Sequence, residues 1–184
     1  MQHHKTTSLL LCALFTALLC VSAWIRIPTP LVPITLQSGV VLLAGVLLGP
    51  KRGAQCSLSY LLIGLFGVPV FSLGGGFGYI LQPTFGYLLG FVVACYVTGQ
   101  LVWKKPSITH GKLFLAALVG LCIIYFIGTV YCYGISVLVL GSELAFWPLV
   151  VSCCLLPLPG DLALCLLTAI LGKRLYPYTR RYIS

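Results

Sequence analysis

Only two carboxylates occur among 184 residues. One of them, Asp161, stands in Leu156-Pro157-Leu158-Pro159-Gly160-Asp161-Leu162, between two apolar stretches of a chain that is 60% hydrophobic. Carrying such a charge toward hydrocarbon costs at least about 2.5 to 3.5 kcal/mol at a bilayer centre, so carboxylates of this kind face a cavity and hold something. Pro-Gly-Asp is also a helix-start signal, and one residue can both cap a helix and bind a ligand. Gln82 offers the paired donor and acceptor of a carboxamide, suited to an amide-like ligand whose N–H groups Asp161 would accept. Gln37, Thr35, Thr84, Tyr79, Tyr87 and Glu143 are further polar groups expected at the same level. Trp24, Phe71, Phe77, Phe85 and Trp147 are the expected aromatic walls, or else part of an interfacial belt. The run Gly74-Gly75-Gly76 is either a tight turn at positive φ or a backbone lining that a ligand can approach closely.

This chemistry is recognition rather than catalysis. Two carboxylates sharing acid and base roles would require Glu143 as the only partner of Asp161. Serine or cysteine nucleophiles need a nearby base, and the three histidines are terminal or lie in the polar segment 104–112. No segment reads G-x-x-x-x-G-K-[ST], so the chain brings no ATPase motor. Its nine cysteines are scattered without a C-x-x-C pair, which leaves no expected metal or cofactor. A channel would show a charged ring or a repeated backbone filter, and neither is visible.

The elements that must position these residues are set by composition. Only 7% of residues are charged, against about 25% in a soluble domain, so the chain reads as an all-α integral membrane protein forming a single domain over 1–184. Apolar stretches cover 8–25, 36–49, 53–71, 81–103, 113–133 and 143–172. Pro157 and Pro159 divide the last one, because proline removes a backbone donor and ends or kinks a helix. The piece 143–156 would reach only about 21 Å, short of a hydrocarbon core of roughly 30 Å, and is expected to be re-entrant or interfacial.

The net charge of +9 records orientation and not nucleic acid. Lys5, Lys51, Arg52, Lys104, Lys105, Lys112, Lys173, Arg174, Arg180 and Arg181 fall on one side of a six-span arrangement, with both termini cytoplasmic. Arg26 alone falls outside, as a candidate for an anionic ligand group or as a snorkelling anchor. The first 23 residues have signal-peptide features, with Val21-Ser22-Ala23 as a small-residue end, but are expected to be retained as the first span. Within it Ala13 and Ala17 form a small-xxx-small pair that another helix can approach closely.

Several ordered motifs resemble the BioY family, the biotin-binding S-components of energy-coupling-factor transporters. They are Pro33-Ile34-Thr35-Leu36-Gln37, Ala44-Gly45-Val46-Leu47-Leu48-Gly49-Pro50, Gly67-Val68-Pro69-Val70-Phe71, Gly74-Gly75-Gly76, Pro83-Thr84 with Gly86-Tyr87-Leu88-Leu89-Gly90-Phe91, and Pro159-Gly160-Asp161-Leu162. The chain departs from the family pattern at Leu164, where a lysine is usual, and at Gln82 and Phe85, where glycine is usual. The resemblance implies a six-helix S-component fold in a bacterial inner membrane, with biotin as ligand in an external pocket closed by the first external loop. It also implies docking to a transmembrane coupling subunit driven by two ATP-binding subunits, with Ala13 and Ala17 on the docking face. The expected ligand-binding set is Asp161, Gln82, Thr84, Tyr87, Gly74, Gly75, Gly76 and Gln37. An S-component for another small vitamin and a passive channel are the alternative readings.

Overall fold

The computed structural model describes residues 2–29, 32–103, 108–139 and 146–183. Helix α1 (Gln2–Ser22) turns Phe15 and Leu19 inward, while Leu9, Leu10, Leu14 and Leu18 face out. A short antiparallel hairpin follows, β1 (Arg26–Ile27) on β2 (Ile34–Thr35), with Arg26 opposite Thr35 and Ile27 opposite Ile34. Two-residue strands were not expected of an all-α chain. Pro28, Pro30 and Pro33 exclude helix here and leave an extended path that pairs where it can.

Helix α2 (Gln37–Leu65) is bent at Gly49, whose φ of 76° and ψ of 179° are open to glycine and strained for other residues, and Pro50 follows it. The bend is a reversal. Gln37 donates from Nε2 to the Tyr60 hydroxyl at 2.6 Å, whereas a straight helix would separate residues 23 apart by roughly 35 Å. The halves 37–48 and 50–65 therefore lie side by side, and a Cβ on Gly53 would sit 3.2 Å from the Gly45 Cα.

A 3-10 turn (Phe77–Leu81) leads into α3 (Phe85–Trp103) and then α4 (His110–Leu138). The short α5 (Phe146–Val150) passes into a π-helical turn (Val151–Leu155) just before α6 (Leu158–Ile183). Pro157 and Pro159 fall at the boundary and in the first turn of α6, where a missing N–H is tolerated. Among the described residues three helices are long and apolar enough to cross a membrane: Phe85–Trp103, His110–Leu138 and Trp147–Thr179. The described apolar part of α1, Thr6–Ser22, is shorter. The halves of α2 reach only about 18 and 24 Å at 1.5 Å per residue, so length alone marks three of the six expected spans.

Small residues set the packing, as expected where lipid removes the hydrophobic drive between helices and close backbone contact has to replace it. The α2–α3 pair is the most extensive. A Cβ on Gly45 would lie 2.6 Å from the Cys95 carbonyl oxygen, and one on Gly99 would lie 2.5 Å from the Pro50 nitrogen. At the far end of the bundle the Tyr176 hydroxyl donates to the Trp103 carbonyl at 3.0 Å and satisfies an otherwise open end of α3.

Candidate functional site

Asp161 lies in the first turn of α6 and is buried. Its carboxylate does not turn back to cap its own helix. The Ser38 hydroxyl of α2 donates to Oδ1 at 2.5 Å, and the Tyr125 hydroxyl of α4 donates to Oδ2 at 2.6 Å. Three helices are thus tied at one carboxylate. An ionised carboxylate offers about four lone-pair directions, so two remain for a further donor.

A small cavity of about 50 Å³ opens beside it. Its floor and sides come from Ser38, Tyr125 and Asp161, and from Thr84, Tyr87 and Phe91 of the α3 region. Val32, Pro33 and Ile34 of the hairpin lie over it. Gln37 lines the cavity too, held by its bond to Tyr60, whose hydroxyl in turn donates to the Val70 carbonyl at 3.1 Å. Along the other wall the Thr84 hydroxyl donates to the Tyr79 oxygen at 3.0 Å, and the Tyr79 and Ser72 hydroxyls are 3.3 Å apart. The Tyr87 hydroxyl is spent on the Cys153 carbonyl at 3.0 Å, so this residue presents its ring to the cavity.

Asp161, Gln37, Thr84 and Tyr87 of the expected binding set therefore meet at one cavity, together with Thr35 and Tyr79. Gln82 does not line it. That side chain is exposed, and its residue contributes backbone bonds at the start of α3, the N–H to the Tyr79 carbonyl and the carbonyl to the Phe85 N–H. Gly74, Gly75 and Gly76 also stand away from Asp161. Gly74 and Gly76 have φ of 126° and 98°, and a Cβ on Gly75 would strike the Val68 carbonyl oxygen at 2.3 Å, so turn geometry accounts for the run.

None of the five expected aromatic walls lines the cavity. Trp24, Phe77 and Trp147 are exposed, Phe71 packs edge-on to Tyr60, and Phe85 packs against Tyr131. Tyr79, Tyr87, Phe91 and Tyr125 take that role. Glu143, Pro30, Lys104 and Lys105 lie outside the described residues. Leu164 stands where a family lysine was expected and packs its side chain on Gly39, 3.2 Å from a Cβ placed there, which closes the α2–α6 seam.

Sequence reasoning missed Ser38, Ser72 and Tyr125. Ser38 adjoins a named glutamine, and Tyr125 is a hydroxyl in the middle of an apolar run, but neither signal says which carboxylate it meets.

These features define a class: a helical, multi-pass membrane protein with an enclosed polar site built around one carboxylate, where three helices and an outer hairpin meet. The chain belongs to the BioY family, whose model matches residues 1–181. It is 41% identical over 180 residues to a probable biotin transporter BioY of Lysinibacillus sphaericus, covering 98% of this chain and 92% of that one. It is 35% identical over 182 residues to the biotin transporter BioY of Rhizobium etli, covering 92% of each. Its fold matches a crystal structure of the S-component for biotin from an ECF-type ABC transporter with a TM-score of 0.83 at 27% identity, over 95% of this chain and 93% of the other.

Proposed function

We propose that this chain takes up biotin as the substrate-capture subunit of an energy-coupling-factor transporter. The observation that carries the reading is the buried Asp161, held by Ser38 and Tyr125 with acceptor capacity left over at the edge of a cavity. Biotin's cyclic urea presents two N–H donors and a carbonyl, which suits a carboxylate flanked by hydroxyls. Its fused rings and aliphatic chain suit walls of tyrosine and phenylalanine. Family membership and the relatives named above support the same ligand.

The finer features belong to this reading. The chain crosses a bacterial inner membrane six times, with α1, the two halves of α2, α3, α4 and α6 as the spans and both termini cytoplasmic. The reversal at Gly49 supports it, since it returns the chain toward Asp161's end of the bundle and leaves Lys51 and Arg52 at the opposite end. A transmembrane coupling subunit and two ATP-binding subunits supply the energy, docking through the face of α1 that carries Ala13 and Ala17; both alanines are exposed.

Titration of the purified protein with biotin tests the reading. The expected result is saturable binding of one biotin per chain, with biotin recovered unchanged. Conductance without saturable binding would identify a channel, chemical change of the ligand would identify an enzyme, and binding of a different vitamin in preference to biotin would reassign the cargo.

A further inference from the structure

The cavity beside Asp161, at about 50 Å³, accommodates a small head group and not a whole ligand of biotin's size, for which pockets run to about 300 Å³ or more. The rest of the ligand must lie elsewhere. One wall residue, Ser72, is shared with a second, open recess of about 450 Å³ formed by Trp24, Arg26, Pro69, Phe71, Leu73 and Gly74. This recess has a mixed polar and apolar lining, and its one charged group is the Arg26 guanidinium, which donates through Nη1 to the Ser72 carbonyl. That bond uses one of five guanidinium donors and anchors the group at the junction of the two spaces, and among the described residues the rest of its fork is open to a carboxylate.

Arg26 also has no competitor of its own sign nearby. Among the described residues it is the one lysine or arginine at the end of the bundle that holds Asp161. Lys51 and Arg52 sit at the reversal of α2, Lys112 at the start of α4, and Lys173 and Arg174 in the far half of α6. Leu164 occupies the α2–α6 seam and supplies no charge.

We infer that Arg26 is the specificity residue for the anionic end of the ligand. Resting on the biotin reading, it receives the carboxylate in the Trp24–Phe71 recess while Asp161 holds the urea. The two charges of the site thus stand at opposite ends of one bipolar ligand, and the Arg26–Ser72 bond couples the hairpin to the wall that both spaces share.

The test is a titration of purified wild type, Arg26→Gln and Arg26→Lys with biotin and with biotinamide, in which the carboxylate is a neutral amide. An exposed charge pair contributes modestly, so wild type should prefer biotin over biotinamide by about two- to fivefold. Arg26→Gln should lose that preference by weakening biotin alone, and Arg26→Lys should keep part of it. Equal weakening of both ligands in Arg26→Gln would reduce Arg26 to a latch on Ser72 and overturn the inference, as would an unchanged preference. Failure of wild type to bind either ligand would instead sink the biotin reading itself.

Discussion

At the residue scale the site turns on how a buried carboxylate is held by two neighbouring helices and left available inside the bundle. Ser38 and Tyr125 donate one hydrogen bond to each oxygen, which satisfies part of the carboxylate without filling it. A hydrogen bond to a charged group contributes about 1.5 to 3 kcal/mol, so Asp161→Asn is expected to weaken biotin binding roughly tenfold to a hundredfold, with a lowered apo-protein melt because the amide nitrogen cannot accept from Ser38 or Tyr125. Unchanged affinity in that variant would return Asp161 to a purely structural role, tying α2 and α4 to α6. Asp161→Leu should be worse than Asn, because it leaves the hydroxyls of buried Ser38 and half-buried Tyr125, and the ligand's donors, without an acceptor.

At the element scale two non-helical features shape the site. The hairpin segment from Ile27 to Gln37 places Val32, Pro33 and Ile34 over the cavity. Ligand is expected to order it, read as slower hydrogen exchange across this segment with biotin than without; identical protection in both states would count against a lid.

The second feature is the reversal of α2. Gly49, at φ of 76° and ψ of 179°, puts the backbone in a region essentially confined to glycine, where a side chain costs roughly 1 to 3 kcal/mol, and a Cβ there would lie 2.7 Å from the Trp103 indole. Gly49→Ala should therefore lower the unfolding midpoint in detergent and reduce the fraction of active protein, although the residue sits at the opposite end of the bundle from Asp161. An undisturbed melt would mean that α2 can reverse without this conformation.

For the whole molecule, binding and transport should be separable. Asp161 and the hairpin lie at one end, while Ala13 and Ala17 are exposed on the flank of α1, next to the outward-facing Leu14 and Leu18. Ala13→Leu with Ala17→Leu enlarges a surface on which another helix must approach closely, yet touches nothing at the cavity. The double variant should bind biotin as wild type does and fail in uptake by cells that carry the coupling and ATP-binding subunits. Normal uptake at matched expression would move the docking surface elsewhere.

Composition alone determined that the chain belongs in a membrane, because 7% charged residues cannot cover a water-soluble surface. The cost of a carboxylate in apolar surroundings singled out Asp161, and the ordered glycine- and proline-bearing motifs carried the family. Those inferences depend on residue type and local spacing, which a linear chain displays. What surrounds Asp161 is a different matter. Ser38 and Tyr125 are 123 and 36 positions away, and their arrival depends on the rotation of α2 and α4 about their axes and on the reversal at Gly49. Each residue along a helix turns about 100°, so a polar side chain at the right depth faces the cavity or the outside according to a single step in register. Ser38 and Tyr125 came out facing Asp161 for that reason, whereas Thr84 faces inward and Gln82 outward through the turn that joins the 3-10 segment to α3, and only the packed chain decided either.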